Sequence, residues 1–475
     1  MKRTSTILAL GVAVVLLSGC VMKPKGAPEM EKALEKAGEP YVKPFEKRTL
    51  PELPQPAEWR DVLYRGLLAN GEVESAYFEW SAAVQRITEQ GAWPNSNVQL
   101  GADYQITPSN MKAWDRTTLS LGFDSAMNLS APIKIRKQAQ VAYQAADEAA
   151  ERFRAAKFKV QRQILTQYLD LARMQEQVRI QQENLKLLKL LVQNAKSRVQ
   201  AGAPQQDLLK AQLELRSAEA MLQGDQAQVS SMRAMLNGML SRDAQAPLVL
   251  PTALPAPREL LATDDRLIAM AVDGNPELAA LAAQVRGRSN AIELAKMKYI
   301  PDISPNFTNT GDISRSIGAM VVLPTTIPLI EATIRETQAM LRSSQAMLRQ
   351  TRSDRAASFV ATLYILRNDE KQHELFEARI MLAAREVLRS ARAAYSSGSV
   401  GYVELVEAQR TVLNVQLQIV NLYVDREKRL AELEELAGVD METLAGKAAT
   451  RPTTMPATMP AIQSTTMPTT QPAQG

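Results

Sequence analysis

The chain has 475 residues, of which only 5% are aromatic, and 56 basic against 51 acidic side chains give a formal net charge of +5. Charges so evenly interleaved make solvated helix faces rather than a basic patch, so no nucleic-acid partner is expected. One cysteine and one histidine exclude an internal disulfide framework and a Cys/His metal cluster, and no nucleophile–base set or phosphate loop appears, so neither a cofactor, a metal nor an enzyme is expected.

Residues 1–19 read as a signal peptide: a basic start at Lys2 and Arg3, then an apolar run from Ile7 to Leu17 that is too short to span a bilayer. The segment Leu17-Ser18-Gly19-Cys20 resembles a bacterial lipobox, which implies cleavage before Cys20 and lipid attachment there. Several acyl chains on one residue would anchor the mature end firmly. Ordinary secretion with a free thiol is the plainer reading. Valine rather than aspartate at position 21 favours the outer membrane. Residues 20–57 show no apolar period and read as an extended, lipidated tether.

Residues 58–257 form a first repeat. A helix with an acidic start stops at Pro94. The texture then changes to strand over "NSNVQLGADYQIT" and "DRTTLSLGFDSAMNLS", with Tyr104, Trp114 and Phe123 placed to meet membrane interfaces. From Pro132 to Gln200 nothing breaks the chain. Leu171, Val178, Leu185, Val192 and Val199 recur every seventh residue, with Met174, Gln181, Leu188 and Ala195 offset between them, which is a coiled-coil seam. About 70 helical residues span roughly 105 Å. After "AGAP" a return helix begins near Gln205 and carries Leu208, Ala211, Leu215, Ala218, Leu222, Asp225, Val229, Met232, Leu236 and Met239, closing an antiparallel hairpin.

Residues 258–443 repeat this order. A helix opens at "NPEL" (Asn275) and stops at Pro301. The strand pair "DISPNFTNT" and "ISRSIGAMVVLP" follows, then a second long helix, a turn at Gly398 and Gly401, and a return helix. That helix carries Leu405, Ala408, Val412, Val415, Ile419, Leu422, Arg426, Arg429, Leu433 and Leu436 in the register of the first list, which argues for duplication. Residues 444–475 are a Thr/Pro/Met-rich tail expected to be disordered.

Four strands cannot cross a membrane as an open sheet, because their edges would leave backbone groups unpaired in lipid. Either they cap a soluble domain or partner chains close them. Three copies would supply twelve strands, an even count compatible with a barrel.

This pattern resembles the TolC-type outer-membrane efflux family. The carriers are the two hairpin tips, Gly202/Asp207/Ala211/Gln212 and Gly398/Glu404/Ala408/Gln409, the "NPEL" motif, and proline-marked helix starts at Pro132, Pro324 and Pro328. The resemblance implies a mainly α fold with a small β part: a trimer with a periplasmic α-barrel of long hairpins and a 12-stranded transmembrane β-barrel. It also implies a periplasmic adaptor and an inner-membrane pump as partners, and an outer-membrane site reached through the lipoprotein branch. Acids at the matching second-repeat position form a tunnel constriction in that family, here Glu404 and Glu407. Crowded carboxylates there would attract cations; the plainer reading is favourable placement on a helix N-terminus. A closed-state latch would pair Tyr395 with Asp207, although the family's arginine position reads Val400 and Lys210 stands beside the first-repeat acid. The reading is an outer-membrane exit duct for passive efflux or type I secretion. Its rival is a lipid-anchored periplasmic coiled-coil scaffold, or an adaptor, without a pore.

Overall fold

The computed structural model describes residues 21–92, 98–106, 111–123, 131–202, 204–258, 260 and 263–440. The expected signal peptide, Cys20 and the tail lie outside the described residues. The elements in chain order are α1 (Ala27–Gly38), α2 (Trp59–Ala69), α3 (Gly71–Gly91), β1 (Val98–Tyr104), β2 (Thr117–Phe123), α4 (Pro132–Gln200), α5 (Gln205–Met239), α6 (Asp264–Gly274), α7 (Pro276–Lys296), β3 (Asp302–Thr310), β4 (Ser314–Val322), α8 (Ile327–Leu375), α9 (Met381–Ser396) and α10 (Tyr402–Ala437). No described helix is long and apolar enough to cross a membrane. The chain divides into two compact units, and each takes segments from both sequence repeats.

The first unit comprises Met1–Glu39, Ala76–Phe153 and Glu277–Arg352. Its sheet has the order β1-β2-β3-β4, antiparallel throughout, so β2 and β3 join the two repeats and β1 and β4 are its edges. Because side chains alternate across a strand, the register sorts them by chemistry. One face carries Tyr104, Leu119, Ile303, Phe307, Ile317 and Val321, with Thr117, Asn309 and Arg315 at its turn end. The other carries Thr118, Ser120, Thr308, Thr310, Ser314 and Ser316. The apolar face is bare, with Ile317 86% and Ile303 51% exposed. On the polar face the Thr118 and Thr310 hydroxyls meet at 3.2 Å. Lys134, in the first turn of α4, ties that helix to β3 through the Ile300 carbonyl and the Asp302 carboxylate, both at 2.7 Å.

In the helical part of this unit α4 lies between α3 and α7. Trp80 of α3 stacks on Phe153 at 5.7 Å, while Arg286 of α7 donates to Asp147 at 2.7 Å and to Gln144 at 2.9 Å. The N-terminal segment departs from the extended tether expected for residues 20–57. Residues 27–38 form α1, with Ala27, Met30 and Leu34 buried. Its apolar stripe is only about three turns long, too brief to stand out among the surrounding prolines.

The second unit comprises Pro40–Ser75, Arg154–Pro276 and Ser353–Gly475 and holds both return helices. Every one of the ten α5 positions and ten α10 positions anticipated from spacing is buried or half-buried. In α4 the heptad row is deeper at its start, where Leu171 is buried and Met174 half-buried, and the offset row is deeper beyond it: Gln181, Leu188 and Ala195 are buried, while Val178, Leu185 and Val192 are half-buried. The second long helix is not uniform. Phe376–Ile380 form a π-turn between α8 and α9. Such a turn takes an extra residue and rotates everything after it. The buried row Phe359, Leu363, Leu366 of α8 thereby gives way to Met381, Ala384, Leu388 in α9.

Candidate functional site at the hairpin tips

Each hairpin turns at a glycine in the left-handed region, Gly202 at φ +100° and Gly398 at φ +78°, where a side chain would be strained. The two tips share one apolar cluster. Ala195 of α4, Ala211 of α5, Leu388 and Tyr395 of α9, and Tyr402, Leu405 and Ala408 of α10 all contribute to it. Alanines at Ala211 and Ala408 leave room for helices to approach closely.

Glu404 and Glu407 occupy the start of α10 and are both exposed. Gly401 precedes them and sits beside the Glu404 carboxylate; a Cβ there would lie 3.2 Å from it. Asp207 stands in the first turn of α5 and is half-buried. Tyr395 is buried, and among the described residues no hydrogen bond joins it to Asp207. Instead the guanidinium of Arg198 lies 4.3 Å from the Tyr395 ring centroid and donates to the Tyr395 carbonyl at 2.8 Å. Tyr402 packs edge-on to Tyr395 at 6.2 Å. Its hydroxyl is buried, with no hydrogen-bond partner among the described residues. Burial, and then the Glu214 carboxylate, push that phenol up to about 12. Arg410 grips Glu214 with two hydrogen bonds, at 3.0 and 2.5 Å. The paired Ala-Gln motifs diverge. Gln409 is buried and donates to Asn184 at 3.3 Å, while Gln212 is exposed. No group of acidic, histidine or cysteine side chains suited to a metal ion occurs among the described residues.

The model of the family described as outer membrane efflux protein matches residues 267–439, which is most of the second repeat. The outer membrane protein VceC of Vibrio cholerae superposes with a TM-score of 0.68 at 17% identity, over 81% of this chain and 96% of its own. The CmeC outer membrane channel of Campylobacter jejuni gives 0.66 at 13%, over 82% and 88%. The open-state MtrE outer membrane channel of Neisseria gonorrhoeae gives 0.65 at 15%, over 80% and 89%. Residues 267–439 are thus similar to the outer membrane efflux protein family, and the chain shares the fold of these outer membrane channels. No curated protein matches it by sequence.

Four of the site residues expected from sequence, Asp207, Tyr395, Glu404 and Glu407, fall within the second unit at the tips. Cys20 lies outside the described residues. Sequence reading missed Arg198, Tyr402 and the Arg410–Glu214 pair. A signal for the first was present, since Arg198 and Tyr395 stand 197 residues apart and are repeat counterparts. His373, the only histidine, has its ring 5.9 Å from that of Tyr423, a helix-packing role.

Proposed function

We propose that this protein is the outer-membrane exit duct of a tripartite efflux or type I secretion system. In this reading three copies close their sheets into one barrel. The observation that carries it is the sheet itself, with a bare apolar face, a hydroxyl-lined face and two unpaired edges. In water such a sheet exposes a large apolar patch and invites aggregation. In a bilayer, closed by neighbours, the same sheet satisfies its backbone and turns Ile303, Ile317 and Val321 to acyl chains while its threonines and serines line a wet lumen. Acyl chains on Cys20 would add an anchor in the outer membrane. A periplasmic adaptor and an inner-membrane pump would supply energy and cargo at the hairpin tips.

Glu404 and Glu407, exposed at the start of α10, would give three copies six carboxylates around the mouth. The full chain extracted from outer membranes should form conducting channels in planar bilayers. Replacing both glutamates by alanine should weaken block by divalent cations and raise resting conductance. Unchanged block with normal channels would remove the constriction role, and a chain that never conducts would remove the duct. For the latch, Tyr395→Phe should raise resting conductance only if its hydroxyl reaches Asp207 in the assembled mouth. Labelling with palmitate, abolished by Cys20→Ser, would test the anchor.

A further inference from the structure

We propose that the apolar face of the sheet carries, at its turn end, a binding belt for the phosphate groups of the glycolipid in the outer leaflet of an outer membrane, with Arg116 and Arg315 as its cations. The proposal rests on the membrane-spanning reading of the sheet given above and names the lipid that this face meets.

Strand register fixes where Arg315 stands. It is the second residue of β4 and pairs with Asn309, on the same face as Phe307, Ile317 and Val321. The rise of about 3.3 Å per residue puts it roughly 20 Å along the strand from Val321. That is close to the height of the apolar band, about 25 Å, that such sheets turn to lipid. Arg315 thus stands at one border of the band. Arg116 lies just before β2, in the connection from β1, and its guanidinium is 5.3 Å from the ring centroid of Tyr104. Tyr104 belongs to the same face, so this second cation does too. With strands about 4.8 Å apart, the three spacings from β1 to β4 separate the two cations by on the order of 15 Å.

Neither cation has a carboxylate partner among the described residues. Arg315 donates to the Asn309 amide oxygen at 3.3 Å. Arg116 Nε is shielded from solvent with no hydrogen-bond partner among the described residues. The nearby acids are engaged or turned away. Asp103 pairs with Thr118 and so lies on the hydroxyl-lined face. Asp115 accepts the Asp312 backbone N–H at 3.1 Å. Asp312 itself is exposed in the turn between β3 and β4. The helix end of the sheet is different, for there Lys134 meets the Asp302 carboxylate at 2.7 Å.

Unpaired cations on an otherwise apolar face are costly near the centre of a bilayer and favourable at an anionic surface. The long helices join the sheet at its other end, so with those helices in the periplasm the turn end meets the outer leaflet. A guanidinium matches phosphate with two parallel N–H donors. Stacking on Tyr104 holds Arg116 flat and leaves its edge free for that contact. Trp114, exposed in the same connection, is the kind of ring that settles at headgroup level.

The experiment uses the full chain purified from outer membranes in mild detergent. It is titrated with bisphosphorylated lipid A, with the same lipid stripped of its phosphates, and with phosphatidylglycerol, and bound lipid is counted per chain. The unsubstituted chain should bind the phosphorylated glycolipid about tenfold more tightly than either of the others, and Arg116→Gln with Arg315→Gln should remove that preference. Arg315→Gln alone, at an exposed position, should lose part of it, and Lys298→Gln, at the helix end, none. Equal binding of the phosphorylated and stripped glycolipids, or an undiminished preference in the double variant, overturns the belt. Phosphatidylglycerol bound as tightly as lipid A, and lost with the same arginines, overturns the glycolipid as its occupant. A chain that conducts in planar bilayers yet shows no such preference loses this belt alone. One that neither conducts nor takes up lipid loses the duct reading first, and the belt with it.

Discussion

The two return helices, α5 and α10, hold matching places in the repeats yet live in different surroundings. Helix α5 buries Ala211, Ala218, Val229 and Leu236 and leaves Leu209, Leu213, Met221 and Met235 more than half exposed. Helix α10 is enclosed on most sides and even buries charge. Glu427 and Glu434 lie on its inner face and receive Arg258 from the connection that follows α5, at 2.9 and 2.8 Å. Arg258 also lies over the Trp59 ring, and Tyr423 donates to the Pro255 carbonyl, so this connection is strapped down on α10. Burial works against the charge of Arg258, but Glu434 and Glu427 more than offset it and raise its pKa above the usual guanidinium range. Duplication thus copies the register of a helix, while its neighbours decide how much of it is core.

The largest test of this difference removes the strap. Arg258→Met leaves the buried Glu434 carboxylate without a cation, and Glu427 with Arg426 alone, and should cost about 3–5 kcal/mol in unfolding of the detergent-purified chain. No α5 surface substitution should approach that loss. Next come the apolar rows. Leu433→Ala in α10 and Leu236→Ala in α5 should each cost about 2–5 kcal/mol, since both are fully buried. Leu213→Ala, on the outer face of α5, should change stability by about 0.5 kcal/mol or less; a larger loss in the assembled protein would show that another copy covers it.

A third test uses pH. Burial pushes the Glu434 carboxyl up to about 7, and Arg258 only partly opposes this. With the folded pKa above the ordinary value of about 4.3, the folded chain binds the extra proton more tightly. The resulting stabilisation is complete below about pH 4 and is lost as pH rises through 7. Thermal unfolding should therefore show a gain of about 1–3 kcal/mol between pH 8 and pH 5 that Glu434→Gln abolishes. The smallest contrast is between the paired glutamines. Gln409→Ala, which loses a buried amide contact to Asn184, should cost about 1 kcal/mol, and Gln212→Ala almost nothing.

Much of this was legible in the residues. Heptad rows and proline stops place the long helices and their turns closely, with Pro132 and Gln200 bounding α4 as expected. The strand pairs were found, though β1 and β2 are shorter in the described residues than the runs that announced them. What could not be read was anything that depends on distant neighbours. Helix α1 needs the rest of its unit to bury Met30. The π-turn at Phe376 answers the packing of α9. Arg258 looks like any loop arginine until α10 presents Glu427 and Glu434 to it.

By itself the sequence determined the order of elements, their periodicity and their duplication, because spacing along a chain fixes which side chains share a face. Only the tertiary structure decided which faces are covered. It joined β2 to β3 across the repeats, enclosed α10, left α8 and the apolar face of the sheet open, and set Arg198 on Tyr395. Those outcomes depend on burial and charge pairing between segments far apart in the chain, and local propensity carries no record of them.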